Sequence, residues 1–351
     1  MSLLIERPTE PDVPDAELVE PVAAPAPEPD VAKPPLTPKQ IAVAVTAWVL
    51  VTLLGIVIVL VSVGPLLQQG DQRALLRSYR TEIREAANEA FGLPGATAVT
   101  TTVDVGAPVG IIDINDLELR QVAVEGAGPE QTRMGPGHVT GTAGPGQPGN
   151  SVLVARRSLF GGPFNSIDDL REGDRILVTT VQGQSVYVVG HVGQHTISDP
   201  AEDADDNDVP ATNVAADEPA TTEDLLPEGA VTVDELYGPS EDDRLTLITS
   251  ASGNPTATDE ATVVVATLDG LPFAPTPQGG RTSDGEGRSN DPQVVAALAL
   301  ALLAYIGVVT ATVFWYRRIP WRSAYLLTAP PLVALTIVLA EQVSRLLPAW
   351  A

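Results

Sequence analysis

Ile41–Gly64 cannot be left in water. The run carries no charged residue, and about 24 residues rising 1.5 Å each span roughly 36 Å, enough to cross a hydrocarbon core of roughly 30 Å. It is longer than the apolar part of a cleaved secretory leader, so a retained transmembrane helix is expected over 41–64. Two further apolar runs lie far downstream, Val294–Tyr316 and the shorter Ala324–Ala340, and they predict spans over 293–316 and 324–343. Pro330 and Pro331 predict a kink in the third span, which membrane helices tolerate when the freed backbone groups find other partners. The link Arg317–Arg322 holds Arg317, Arg318 and Arg322, and such basic loops stay in the cytoplasm. With that link inside, the amino-terminal tail is expected inside and everything between the first two spans outside. Arg73, Arg77, Arg80 and Arg84 argue the other way, but acidic residues intersperse them and they sit well past the first span.

These runs absorb much of the 44% hydrophobic content, so the region between them is less apolar than the average implies. Its partners are bounded by charge: 45 acidic residues against 20 basic ones give a formal net charge of −25, which repels nucleic acid and other polyanions. Cysteine is absent, which excludes disulfides, thiolate metal sites and a thiol nucleophile. The glycine-rich stretch 135–149 has no following helix and no Lys-Ser/Thr, so it does not read as a phosphate-binding loop. No cofactor and no metal is expected.

Taken in order, residues 1–40 are acidic and proline-rich without apolar periodicity, as a solvated disordered tail would be. Over 65–98, Leu75, Leu76, Tyr79, Ile83, Ala87 and Ala90 recur at helical spacing among Arg and Glu, predicting an amphipathic stalk that packs against the next domain. From 99 to 268 the pattern becomes short β-type runs between Gly and Pro: Gly110–Ile114, Val122–Val124, Ser151–Ala155, Arg175–Val181, Ser185–Val192, Leu245–Thr249 and Ala261–Leu268. Gln182-Gly183 predicts a hairpin between two of them, and many short strands at this spacing predict a closed or nearly closed barrel. One helix is expected at Ser166–Asp169, with Ser166 as its cap, an acid three residues on, and Gly173 as its end. An acidic insertion, 198–228, interrupts the β pattern. Its Asp203, Asp205 and Asn207 have the alternating spacing of a calcium loop, yet Asp208 stands where the turn glycine belongs and Val214 where the bidentate Glu belongs, so a solvated insertion is expected. Residues 269–292 read as a Gly/Ser/Asp linker.

Several segments then occur in an order that resembles one family. Val122-Ala-Val-Glu-Gly126, Gly135-Pro-Gly-His-Val-Thr-Gly-Thr142, Pro145-Gly-Gln-Pro-Gly-Asn150, Ser151-Val-Leu-Val-Ala-Arg-Arg-Ser-Leu-Phe-Gly-Gly-Pro-Phe164, Leu170-Arg-Glu-Gly-Asp-Arg-Ile176 and Leu245-Thr-Leu-Ile-Thr-Ser250 resemble the sortases of actinobacteria, especially class E. The resemblance covers roughly residues 70–268. It implies an eight-stranded β-barrel outside the membrane, here with short helices and three transmembrane helices. It also implies an enzyme that cleaves a sorting signal in a secreted protein, holds it as a thioester on a Cys, and passes it to an amine in the cell envelope. A His supplies the proton and an Arg steadies the oxyanion or the substrate.

Carried over position by position, the resemblance places Ser250 where the Cys stands, Arg156 where the His stands and Ala261 where the Arg stands. A serine hydroxyl needs a neighbouring base to attack, a guanidinium cannot be that base, and Ala261 has no donor for an oxyanion, a loss that typically costs about 2.7–4 kcal/mol. Cysteine-type transpeptidation is therefore expected to be lost. The candidate cleft residues are Arg156, Arg157, Thr249 and Ser250, with the two arginines either anchoring a carboxylate or backbone carbonyl or forming surface ion pairs. Of the three histidines, His138 has a structural place in the resemblance, while His191 and His195 reach the cleft only if the following loop folds over it. Two roles stay open: a silent envelope module in the bilayer that binds a secreted polypeptide or organises an envelope protein complex, and an enzyme of acyl transfer or hydrolysis with Ser250 as nucleophile.

Overall fold

The computed structural model describes residues 37–92, 102–198, 231–254, 260–283, 292–318 and 321–350. Most of the acidic tail expected over 1–40, the insertion expected over 198–228 with its calcium-like spacing, part of the 269–292 linker and the middle of the arginine link fall outside the described residues.

The first apolar run does not end at Gly64. Helix α1 (Pro38–Ile58) passes through one π-helical turn, Val59–Val63, directly into α2 (Gly64–Gly92). The extra residue of a π turn rotates the downstream face relative to the upstream one, so lipid-facing and barrel-facing stripes lie on one rod. Gly64 brings that rod close to the barrel, since a Cβ there would stand 3.0 Å from the Phe160 ring. On this rod Tyr79 is buried with Ile111 and Val122 of the barrel, flanked by Leu75, Leu76 and Ile83. Gln72 fixes the register, with Nε2 donating to the Val122 and Met134 carbonyls and Oε1 accepting from the Val122 amide.

Nine strands follow: β1 (Pro108–Ile114), β2 (Leu119–Glu125), β3 (Gly137–His138), β4 (Asn150–Val154), β5 (Arg175–Thr179), β6 (Gln184–Ser198), β7 (Val231–Thr232), β8 (Arg244–Ser250) and β9 (Glu260–Leu268). Their order is β5-β1-β2-β3-β4-β8-β9-β6-β7, and a β5–β6 pairing closes the first eight into a barrel. β7 lies outside the ring, parallel to the end of β6. The β2–β3 and β4–β8 pairs are parallel and the other pairs of the ring antiparallel. Every long strand expected from the sequence is present; the two-residue β3 and β7 are too short to leave a periodic trace.

The barrel interior holds Ile112, Leu153, Phe164, Leu245, Leu247 and Val264. A second layer covers the outside of β4, β8 and β9 and contains Val154, Ile248, Val263, Val265, Leu236, Ala349 and Trp350. β8 is thus buried on both faces, which is why Leu245–Thr249 reads as a continuous rather than an alternating run.

The helix expected at Ser166 is only a 3-10 turn, Ile167–Asp169, and Ser166 does not cap it with its side chain; its hydroxyl donates to Asn165 Oδ1 instead. The capping box stands elsewhere, at the start of α4 (Val233–Tyr237), where Thr232 Oγ1 accepts from the Glu235 amide and the Glu235 carboxylate accepts from the Thr232 amide. A third helix, α3 (Pro129–Met134), lies between β2 and β3.

α5 (Pro292–Arg318) and α6 (Trp321–Leu346) complete the described fold, with Pro330 and Pro331 inside α6. Three helical stretches are long and apolar enough to cross a membrane. Their outward faces are apolar and bare, as at Leu54, Leu300 and Leu326. Beyond α6, Leu347–Trp350 folds back against the barrel.

Candidate functional site

β8 ends at Ser250, and the ladder says what stands beside it. Ser250 pairs with Ala261 of β9, and Ala261 pairs with His195 of β6. Directly opposed residues of antiparallel strands project from the same face. Ser250, Ala261 and His195 therefore form one row, followed along the strands by Ile248, Val263 and Gly193, then Thr246, Val265 and His191. Arg156 follows directly after β4, two residues past the Val154–Ile248 pair. The structure so brings Arg156, Ser250 and Ala261 to one edge of the outer layer, while Thr249 has the opposite parity and donates its hydroxyl to the Ala155 carbonyl.

Ser250 is completely buried. Its backbone amide donates to the Trp350 carbonyl at 3.0 Å, its carbonyl accepts from Arg157 Nη1 at 3.3 Å, and its hydroxyl oxygen accepts from the Ser252 amide at 3.3 Å. Trp350 packs beside Ala261, Ile248, Ile197, Leu236 and Tyr237, leaving a crevice of about 10 Å³. That is at the lower limit for a single water. Among the described residues, the segment after α6 covers the outer face of β8 and β9 at this point.

Arg156 is not a surface residue. It is 0% exposed, and one Nη donates to the Ser344 carbonyl at 3.1 Å and the Pro129 carbonyl at 3.2 Å. The last carbonyls of a helix lack intrahelical partners and carry the negative end of its dipole; Arg156 caps that end of α6 and joins it to the start of α3. Its guanidinium lies over the Phe160 ring, 5.3 Å from the centroid. Burial first, and the charge of Arg133 second, pull Arg156 down to about 10, so it remains charged at neutral pH and cannot serve as a base. Its Nε and other Nη have no partner. The surface ion pairing considered for both arginines is made only by Arg157, which binds Asp168 at 2.8 Å.

None of the three histidines brings its Nε2 to Ser250. His138 is buried, with Nδ1 2.9 Å from Glu125 and Nε2 2.8 Å from the Ala143 carbonyl; Arg281 completes this knot by reaching Glu125 and the Val103 carbonyl. A cavity of about 300 Å³ borders His138 and Glu125, but Arg156, Ser250 and Ala261 do not line it. His195 is two strands from Ser250, a backbone separation of roughly 10 Å at ordinary strand spacing. Its ring leans toward His191, the centroids 5.9 Å apart, above Gly193, where a Cβ would stand 2.6 Å from His191 Nε2 and 3.1 Å from His195 Nε2. Both Nε2 atoms are buried without a hydrogen-bond partner. No group of three or more His, Asp or Glu able to hold a metal occurs among the described residues.

Desolvation, and then the neighbouring His191, lower the pKa of His195. The folded state consequently binds fewer protons than the unfolded chain once pH falls below roughly 6.5, the ordinary histidine value. The associated stability is complete above that pH and declines as pH drops. Thermal midpoints measured from pH 7.5 to 5 are expected to fall less in His195→Gln than in the unaltered protein; equal slopes would remove His195 as a contributor.

The residue that sequence reasoning missed is Trp350. No spacing marks it, since it lies beyond the end of α6 at Leu346 and meets β8 through the return of that helix.

Residues 112–269 match the family model for the sortase domain. Solved structures with a similar fold include a sortase D5 transpeptidase of Clostridium perfringens, at 17% identity and TM-score 0.40, the match covering 57% of this chain and 99% of that one. Sortase E from Streptomyces avermitilis is 24% identical with TM-score 0.33, over 51% of this chain and 97% of that one. Streptococcus agalactiae sortase C1 is 19% identical with TM-score 0.34, over 57% and 95%. Among curated proteins no sequence matches. Residues 112–269 form a sortase-family domain, attached to three helices long and apolar enough to cross a membrane.

Proposed function

We propose that this protein is a multi-pass membrane protein whose class E-like sortase barrel lies on the extracytoplasmic side and works by binding, not by cysteine transpeptidation, as a cell-envelope binding or assembly module. The observation that carries the reading is the condition of Ser250: fully buried, with its amide held by the Trp350 carbonyl. Arg156 is engaged in capping α6 and Ala261 is packed beside an indole. Acyl transfer needs a base within hydrogen-bond reach of the nucleophile and an approach path for the carbonyl; the burial of Ser250 and the permanent charge of Arg156 both favour the binding reading. The partners that fit are the bilayer and a secreted polypeptide or envelope protein complex.

Full-length protein in detergent, treated with a fluorophosphonate serine probe, is expected to show no labelling that disappears in Ser250→Ala. Labelling that depends on Ser250 would replace this reading by the alternative of a serine transpeptidase or hydrolase that processes surface proteins.

Orientation follows from the arginine link and is checked separately. The chain has no cysteine, so single cysteines report cleanly. Leu271→Cys, at a site 92% exposed beside the barrel, is expected to react with a membrane-impermeant maleimide in intact cells. Ser323→Cys, at the start of α6, is expected to react only after lysis. The opposite pattern would invert the topology.

A further inference from the structure

We propose that Leu347–Trp350 is a resident self-ligand of the barrel groove, a displaceable latch through which the third membrane helix controls access to Ser250 by an apolar polypeptide segment of the same chemistry. The proposal rests on the binding reading above and names what occupies the site and what replaces it.

Three observations carry it. First, the contact is ligand-like: a backbone carbonyl, that of Trp350, is seated on the amide of the residue at the end of β8. The indole fills the adjoining apolar seat of Ile197, Leu236, Tyr237, Ile248 and Ala261. Second, the seat depends on Ala261. A long charged side chain at this position, 1% exposed, would occupy the volume that the indole takes.

Third, the latch is held at few points. Trp350 buries its indole N–H without a partner, a cost that the closed latch carries and that opening into water relieves. Around the end of α6, Arg345 pairs with Glu130 at 2.8 Å and Arg133 approaches Glu341 at 3.5 Å. These are partly exposed pairs of the kind that contribute little and weaken with salt. Arg156 ties the last turn of α6 from a buried position. Any tilt of α6 is therefore transmitted to Leu347–Trp350, because the two are joined by sequence and share the cluster of Leu60, Leu159, Phe160 and Ala340 that Leu347 flanks. The replacing segment is apolar, contains a turn-permitting proline and carries an aromatic side chain, and it is presented at the membrane surface where α6 ends.

The test uses full-length protein in detergent and a fluorescein-labelled peptide, Leu-Pro-Ala-Trp-Ala, read by anisotropy. Trp350→Ala is expected to bind the peptide at least tenfold more tightly than the unaltered chain, and Trp350→Ala combined with Ala261→Arg to lose that gain. Equal binding by the unaltered chain and Trp350→Ala, or no binding by either, would overturn the proposal. If Trp350→Ala does not fold, Ala261→Cys in the otherwise unaltered chain decides. Its maleimide labelling is expected to slow at least threefold when excess peptide fills the seat during latch opening, and a rate indifferent to peptide would overturn the proposal. Mass analysis of the peptide keeps the two readings apart, since a cleaved peptide removes the non-catalytic reading while bound, intact peptide supports both.

Discussion

Arg156→Ala is expected to lower the thermal midpoint of the full-length protein by roughly 6–12 °C. Removing the side chain abolishes charge-assisted hydrogen bonds to Ser344 and Pro129 and the contact with Phe160, and it leaves a cavity at a completely buried site. A charged hydrogen bond contributes about 1.5–3 kcal/mol, and truncation of a large buried side chain costs about 2–5 kcal/mol. Against these stands relief for the unpartnered Nε and Nη, whose burial disfavours the native state by about 1–3 kcal/mol. A net loss of about 3 kcal/mol remains, and each kcal/mol shifts the midpoint of a domain this size by about 2–4 °C. Arg156→Met, which keeps volume but not donors, is expected to fall between the two. An unchanged midpoint in Arg156→Ala would mean that the cap on α6 contributes nothing.

Ser250→Cys is expected to place a thiol at the end of β8 without making it reactive. The site is 0% exposed and roofed by Trp350, a buried thiol in apolar surroundings resists ionisation, and attack by a reagent requires local opening first. Labelling by a small maleimide at pH 7.5 is expected to be at least about 100-fold slower than at Leu271→Cys, the scale set by local opening. Adding Trp350→Ala to Ser250→Cys is expected to recover most of that difference. Rapid labelling of Ser250→Cys alone would mean that the groove is open in solution, and the burial of Ser250 would no longer support a silent site.

The barrel strands were legible because they are long enough to carry β-type composition between turn residues, as in Arg175–Thr179 and Glu260–Leu268. The cap at Ser166 was misread for a local reason. Ser-x-x-Asp satisfies the pattern of a helix start, but in this single 3-10 turn the Asp169 amide that the hydroxyl would serve donates to the Ser166 carbonyl instead. Thr232–Glu235 has the same pattern and does form the box, because Leu236 and Tyr237 bury their side chains in the outer layer and hold the short helix in place.

The sequence by itself determined that cysteine chemistry is absent, that Ile41–Gly64 and two later runs need an apolar surround, and that Ser250, Arg156 and Ala261 bring a hydroxyl, a guanidinium and a methyl to the ends of β-type runs. These are properties of composition, run length and order, which survive without coordinates. Only the tertiary structure decided what those three residues do. Arg156 and Ser344 are 188 positions apart, as Ser250 and Trp350 are 100 apart, and no periodicity relates such distant residues. They meet because α6 returns its end to the face where β4, β8 and β9 already lie side by side.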